Sequence, residues 1–101
     1  MLMIVSVSAQ AGQNVKIREF LTYDDKSQEY FLASTIWTAA VIATQIRQDL
    51  ASCIADWYTN DPMIIKKRNA EILDTMKGYP DSYPSGLVVA ILQKQCGKFG
   101  Q

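Results

Sequence analysis

Residues 61–97 read DPMIIKKRNAEILDTMKGYPDSYPSGLVVAILQKQCG and predict two helices joined by a tight connection. Asp61 is a good N-cap for the first of them, and Pro62 suits the first helical position, where its missing N–H costs no hydrogen bond. Gly78 is expected to end this helix in a left-handed conformation. The expected buried stripe consists of Ile65, Ile72, Leu73 and Met76.

The second of these helices is expected to run over residues 84–96. Ser82 is its expected cap, and Gly97 is expected to stop it. The residues that recur at helical spacing and define its apolar face are Leu87, Val88, Ile91 and Leu92. Two helices with a short connection favour an antiparallel hairpin.

The two cysteines, Cys53 and Cys96, lie 43 positions apart, far from any C-x-x-C spacing. In an exported chain such a pair predicts a structural disulfide, whereas two free buried thiols would fit a cytosolic protein. Cys53 is expected just before the helix that Asp61 caps, so the bond would clamp the open end of the hairpin. The chain-entropy model gives about 4 kcal/mol of stabilisation for a loop of this size.

Two further helices are expected upstream, over residues 14–22 with Asn14 as cap and over residues 26–47. In the longer one, Asp25 and Gln28 resemble a capping box. Residues 50–60 could be a separate short helix or the end of this one. The inward positions of the long helix are expected to be Tyr30, Ile36 or Trp37, Ala40, Val41 and Thr44. The chain is therefore expected to be all-α, a compact bundle of about four helices with one intrachain disulfide.

The first eleven residues, MLMIVSVSAQA, are typical of the end of a secretory signal peptide. An apolar run leads into Ala9–Gln10–Ala11, which fits an A-x-A cleavage site, although the basic n-region is missing. Cleavage there would leave residues 12–101 as one helical domain, exported to an oxidising compartment. The alternative is that residues 2–7 form a short buried segment of the mature fold. The run is too short to span a bilayer.

Composition argues against most kinds of chemistry. The chain has no histidine, and ten Lys and Arg residues balance ten Asp and Glu residues. The commonest general base and metal ligand is therefore missing, and two cysteines cannot build a zinc site unaided. A neutral chain gives no electrostatic reason to bind nucleic acid or membrane. We expect neither an enzyme nor a cofactor nor a metal.

From residue 20 onward the chain resembles the Rap/Tai family of immunity proteins. The features that carry the resemblance are Phe20–Leu21 before a polar segment, an Ala-rich second helix, the run CIAD at 53–56, a helix ending in Tyr79–Pro80, and the segment YPSGLVVAIL at 83–92 closing on Cys96. Members are small periplasmic proteins that neutralise peptidoglycan amidases delivered by type VI secretion systems. The resemblance implies a non-enzymatic protein whose partner is such an amidase effector.

The architecture also looks like that of the HdeA-type acid-stress chaperones, which are small, periplasmic and helical and contain one disulfide. Aromatic residues at element ends are the candidate partner contacts: Trp57, Tyr58, Tyr79 and Tyr83. Core packing is the favoured interpretation for Trp57, and both interpretations are open for Tyr79 and Tyr83. A homodimer is the other association expected, because small helical domains often cover a leftover apolar face that way.

Overall fold

Five helices account for most of residues 15–100, the part of the chain that the computed structural model describes. In chain order they are α1 (Ile17–Phe20), α2 (Asp25–Thr44), α3 (Gln48–Tyr58), α4 (Pro62–Met76) and α5 (Pro84–Cys96). No strand occurs among these residues, so the expected all-α class is confirmed. The expected signal segment 1–11 and the expected cap Asn14 lie outside the described residues.

α3 is a separate helix and not the end of α2. Arg47 has an extended backbone, with φ −151° and ψ 129°, and this breaks the helical path after α2. Cys53 lies inside α3, so of the two alternatives left open for residues 50–60 the separate short helix is the one found, directly before α4 in chain order.

Two aspartates cap helices, and only one of them was expected. Asp61 Oδ1 accepts a hydrogen bond from Met63 N at 2.9 Å, which confirms the predicted start of α4. α2 is capped by Asp24, which accepts from Ser27 N at 2.8 Å, so the expected capping box of Asp25 and Gln28 is wrong. Gln28 is instead buried and donates from Nε2 to the Phe20 carbonyl at 3.2 Å.

Two other expected helix ends also differ. The N-cap of α5 is Tyr83, without a side-chain hydrogen bond, while the expected cap Ser82 accepts at its carbonyl from Ile17 N at 2.9 Å. Gly78 has no left-handed conformation, because the chain leaves α4 through successive tight turns. Gly97, with φ 111°, ends α5 as expected.

The core lies between α2 and α3, which pack against each other most extensively, and α5, which packs on both. Its largest fully buried residues are Tyr58, Phe20, Ile17, Leu32, Ile36, Leu50, Ile54, Ile72, Met76 and Leu92. The inward stripe expected for α2 is partly wrong, because Tyr30 is 77% and Val41 is 64% exposed. α2 is apolar on every side, so its periodicity alone does not identify the inward face.

The predicted disulfide between Cys53 and Cys96 is present, with the two Cα atoms 5.7 Å apart. It joins the middle of α3 to the last residue of α5, so α5 is held at its C-terminal end. None of the helices among residues 15–100 combines the length and the apolar character needed to cross a membrane.

Candidate functional site

An open groove of about 580 Å³ runs along α5 and reaches the end of α4. Its lining comes from Thr75 of α4, from Tyr79, Ser82 and Tyr83 of the connection, and from Gly86, Leu87, Ala90, Ile91 and Lys94 of α5. The α5 residues recur every three or four positions and so share one face of the helix. This groove along one helix and its preceding connection brings two of the candidate residues, Tyr79 and Tyr83, together.

Small residues make this groove concave. Gly86 and Ala90 lie four positions apart and leave the α5 backbone accessible. A Cβ built on Gly86 would have no heavy atom within 4 Å, so the space above this residue is open. Leu87 and Ile91 are half-buried and pack against the core, which makes the floor apolar.

Two tyrosines stand in the wall of the groove. Tyr79 is 54% and Tyr83 is 48% exposed. Tyrosine offers a large apolar ring with a hydroxyl at its tip and is enriched among residues that dominate binding energy. The structure therefore places these two predicted contact residues in one site.

The connection that carries both tyrosines is held in place by α1. Ile17 N donates to the Ser82 carbonyl at 2.9 Å, and Arg18 N donates to the Pro80 carbonyl at 3.0 Å. The Arg18 guanidinium also pairs with the Asp81 carboxylate. The hydrogen bond from Arg18 is the main cause that lowers the pKa of Asp81 below its ordinary value. These contacts tie the backbone of the connection between the two tyrosines to α1.

Lys94 is the charged residue in the groove lining. No carboxylate among residues 15–100 forms an ion pair with it. The lining otherwise offers hydroxyl groups and apolar surface. This arrangement can bind an apolar segment and attract a negative charge, and it holds no pair of groups suited to acid–base catalysis near neutral pH.

The other two predicted contact residues lie elsewhere, between α3 and α4. Tyr58 has no exposed surface, and its hydroxyl donates to Asn69 Oδ1 at 2.6 Å. Burial raises the pKa of this phenol. Because it offers a partner no surface, we assign Tyr58 to the core and not to the binding site.

Trp57 is half-buried beneath an arginine from α4. The Arg68 guanidinium carbon lies 4.7 Å from the indole ring centroid. Arg68 Nε also donates to the Trp57 carbonyl at 2.8 Å, which satisfies a carbonyl in the last turn of α3. These contacts fit the packing role that was favoured for Trp57 from the sequence.

Gly86, Ala90 and Lys94 line the groove and were not predicted as site residues. Two small residues four apart on a predicted helix face, followed four residues later by a lysine, were the available signal. A glycine within a helix is unfavourable relative to alanine, so its presence on a predicted helix face is a signal that can be read from the sequence. In addition, no group of three or more Cys, Asp or Glu residues within 15–100 is placed to hold a metal ion.

Comparison of the chain with protein-family models, with characterised proteins and with solved structures finds no match.

Proposed function

We propose that this chain is an exported, non-enzymatic binding protein that inhibits a secreted cell-wall hydrolase of the peptidoglycan amidase class. The enzyme would dock in the groove along α5. The observation that carries the proposal is the pair of half-exposed tyrosines, Tyr79 and Tyr83, fixed on the wall of an apolar groove. The resemblance to the Rap/Tai family supplies the class of partner.

The rigidity of the groove supports a binding role. Association costs free energy for every side chain and loop that must be ordered, so a surface that is already ordered binds more tightly. Here Ile17 and Arg18 hold the connection at one end of the groove, and the Cys53–Cys96 disulfide holds α5 at the other. Both tyrosines can therefore contribute their contact area at little entropic cost.

The disulfide also supports the proposed location in the periplasm. Such bonds persist in oxidising compartments and are rare in the cytosol.

The proposal predicts a peptidoglycan amidase encoded beside the gene of this protein, and that purified enzyme provides the test. We expect equimolar protein to stop release of cleaved peptides from isolated cell walls, and the two proteins to co-elute at micromolar concentration. Unchanged hydrolysis in excess inhibitor, together with separate elution, would contradict the proposal. An amidase of unrelated sequence is the control for non-specific inhibition.

An acid-stress chaperone of the HdeA type is the second candidate, and the distribution of charge favours it. The carboxylates of all four ion pairs among residues 15–100 are solvent-exposed, with side-chain exposures of 72%, 79%, 48% and 82%. Their protonation in acid would remove these pairs and leave a large positive charge. Suppression of client aggregation at about pH 2–3, without inhibition of the amidase, would favour this role instead.

A further inference from the structure

One row of residues along α5 gives the groove its direction. Gly86, Ala90 and Lys94 follow one another at four-residue spacing inside α5, and all of them line the groove. We call them the α5 row. Residues four apart on a helix lie one above another on the same face, so the row extends for about 12 Å along the helix.

The side chains of the α5 row are smaller than those of the row beside it, up to Lys94. The neighbouring positions, Leu87 and Ile91, also lie four apart and carry large aliphatic side chains. Helices pack by placing a ridge of residues four apart on one helix into the groove between two such rows on the other. The α5 row therefore has the shape that accepts the ridge of a second helix, which would cross α5 at about −50°.

Lys94 gives one end of the α5 row a positive charge that nothing nearby neutralises. The acidic residues in the second half of α4 and in the connection already have basic partners: Glu71, Asp74 and Asp81. No carboxylate within residues 15–100 pairs with Lys94. A positive charge at the end of an apolar surface favours a partner that brings a carboxylate to that end.

We propose that the groove accepts a helix of the amidase whose apolar ridge, with residues four apart, ends in an aspartate or glutamate opposite Lys94. This inference rests on the proposed function and adds the chemistry of the docking segment. The ridge lies over Gly86 and Ala90, where small side chains let the two helices approach closely, as in other helix-in-groove complexes. Tyr79 and Tyr83, which stand in the wall of the groove, contact the side of this helix.

The charge of α5 argues against a second copy of this chain as the occupant of the groove. In a symmetric contact, α5 of one copy would lie on α5 of the other, since both copies use the same face. Residues 84–96 contain no Asp or Glu, so this contact brings no carboxylate to Lys94 from the second α5. A different protein is therefore the occupant that fits both the shape and the charge of the α5 row.

Two synthetic helical peptides test the proposal on the whole protein. Both carry leucine at every fourth position, and this row ends in glutamate in one peptide and in lysine in the other. We expect the wild-type protein to bind the glutamate peptide at least about tenfold more tightly, because an attractive contact with Lys94 replaces a repulsive one. Fluorescence anisotropy of the labelled peptides measures both affinities.

Variants of the protein show whether Lys94 causes this preference. Lys94→Glu should reverse it, so that the lysine peptide binds more tightly. Lys66→Glu is the matched control and should keep the wild-type preference, because Lys66 is exposed, carries the same charge and does not line the groove. Gly86→Leu, which fills the α5 row, should weaken the binding of both peptides at least about tenfold.

Equal affinities of the wild-type protein for the two peptides, no binding of either at millimolar concentration, or an unchanged preference in Lys94→Glu would each overturn the proposal. A dimeric wild-type protein that Gly86→Leu makes monomeric would also overturn it, because a second copy would then fill the groove. Amidase inhibition that persists unchanged in Lys94→Glu would overturn this inference and leave the proposed function standing. Absence of inhibition by the wild-type protein would overturn the proposed function, whatever the peptides show.

Discussion

At the residue scale, the buried Tyr58–Asn69 hydrogen bond is the clearest source of stability that can be tested alone. We expect Tyr58→Phe to lower the free energy of unfolding by about 1–3 kcal/mol, because Asn69 Oδ1 is left buried without its donor. Denaturant unfolding measures the change. Tyr79→Phe is the control, since its ring is 54% exposed and its change should be near zero. Equal effects of the two substitutions would show that the Tyr58–Asn69 hydrogen bond does not contribute to stability in this way.

The Arg18–Asp81 pair predicts a specific dependence of stability on pH. The pKa of Asp81 in the folded state lies below its ordinary value of 3.8, chiefly because Arg18 donates to it. The stabilisation should therefore be present above pH 3.8 and be lost as the pH falls through the lower folded pKa. Asp81→Asn should be less stable than the wild type at neutral pH and should equal it in strong acid.

Thermal unfolding across the acid range measures this difference. Asp56→Asn is the matched control, because it removes a surface carboxylate that makes no ion pair within residues 15–100. A wild-type advantage over Asp81→Asn that is the same at neutral pH and in strong acid would show that the pair does not act through its charge.

Helix caps show how far single residues can be predicted from the sequence. Asp61 was predicted correctly because Pro62 follows it and fixes the start of α4. Asp24 was missed in favour of Asp25, since two adjacent aspartates have the same capping chemistry. Gln28, the expected partner of Asp25, instead donates to the Phe20 carbonyl, and this contact joins residues of two different elements.

At the element scale, α5 carries the proposed binding surface, and Gly86 offers a way to block it. We expect Gly86→Leu to fill the groove and to weaken amidase binding at least about tenfold, equivalent to about 1.4 kcal/mol. The fold should tolerate the change, because the space above Gly86 is open and leucine has the higher helix propensity. Calorimetric titration measures the affinity.

Gly100→Leu is the matched control for this substitution. Gly100 also has open space where a side chain would be added, and it does not line the groove. The affinity of Gly100→Leu for the amidase should equal that of the wild-type protein. If Gly86→Leu binds as tightly as Gly100→Leu, the amidase does not use this groove.

α2 shows why an element can be predicted while its orientation is not. Its presence as a long helix was expected, but Tyr30 and Val41 were assigned inward and are exposed. A helix with apolar residues all round has no single stripe for periodicity to identify. Ile36 and Ala40 were placed inward correctly, whereas Leu32, which is also fully buried, was not predicted.

At the scale of the whole molecule, the disulfide makes the largest single contribution that can be removed cleanly. We expect Cys53→Ser combined with Cys96→Ser to lower the free energy of unfolding by about 4 kcal/mol, because the unfolded chain loses a 43-residue loop constraint. Denaturant unfolding of the double variant measures it. Reduced wild-type protein is the control, and its free energy of unfolding should fall by the same amount. An unchanged free energy of unfolding without the bond would contradict the stabilising role of the disulfide.

The all-α class and the disulfide could be predicted from caps, periodicity and cysteine spacing. The groove could not, because Tyr79 and Tyr83 are placed by hydrogen bonds from Ile17 and Arg18, more than 60 positions away in sequence. The choice between a separate α3 and a continuation of α2 was left open by the sequence, because the break at Arg47 has no strong breaker residue to signal it.

Amide hydrogen exchange of the protein, alone and with the amidase bound, measures directly which surface the enzyme covers. We predict slower exchange over residues 79–94 in the complex, with exchange over residues 30–41 unchanged, because the amidase should occupy the α5 groove. Unchanged exchange over residues 79–94 in a saturated complex would contradict the assignment of the binding surface.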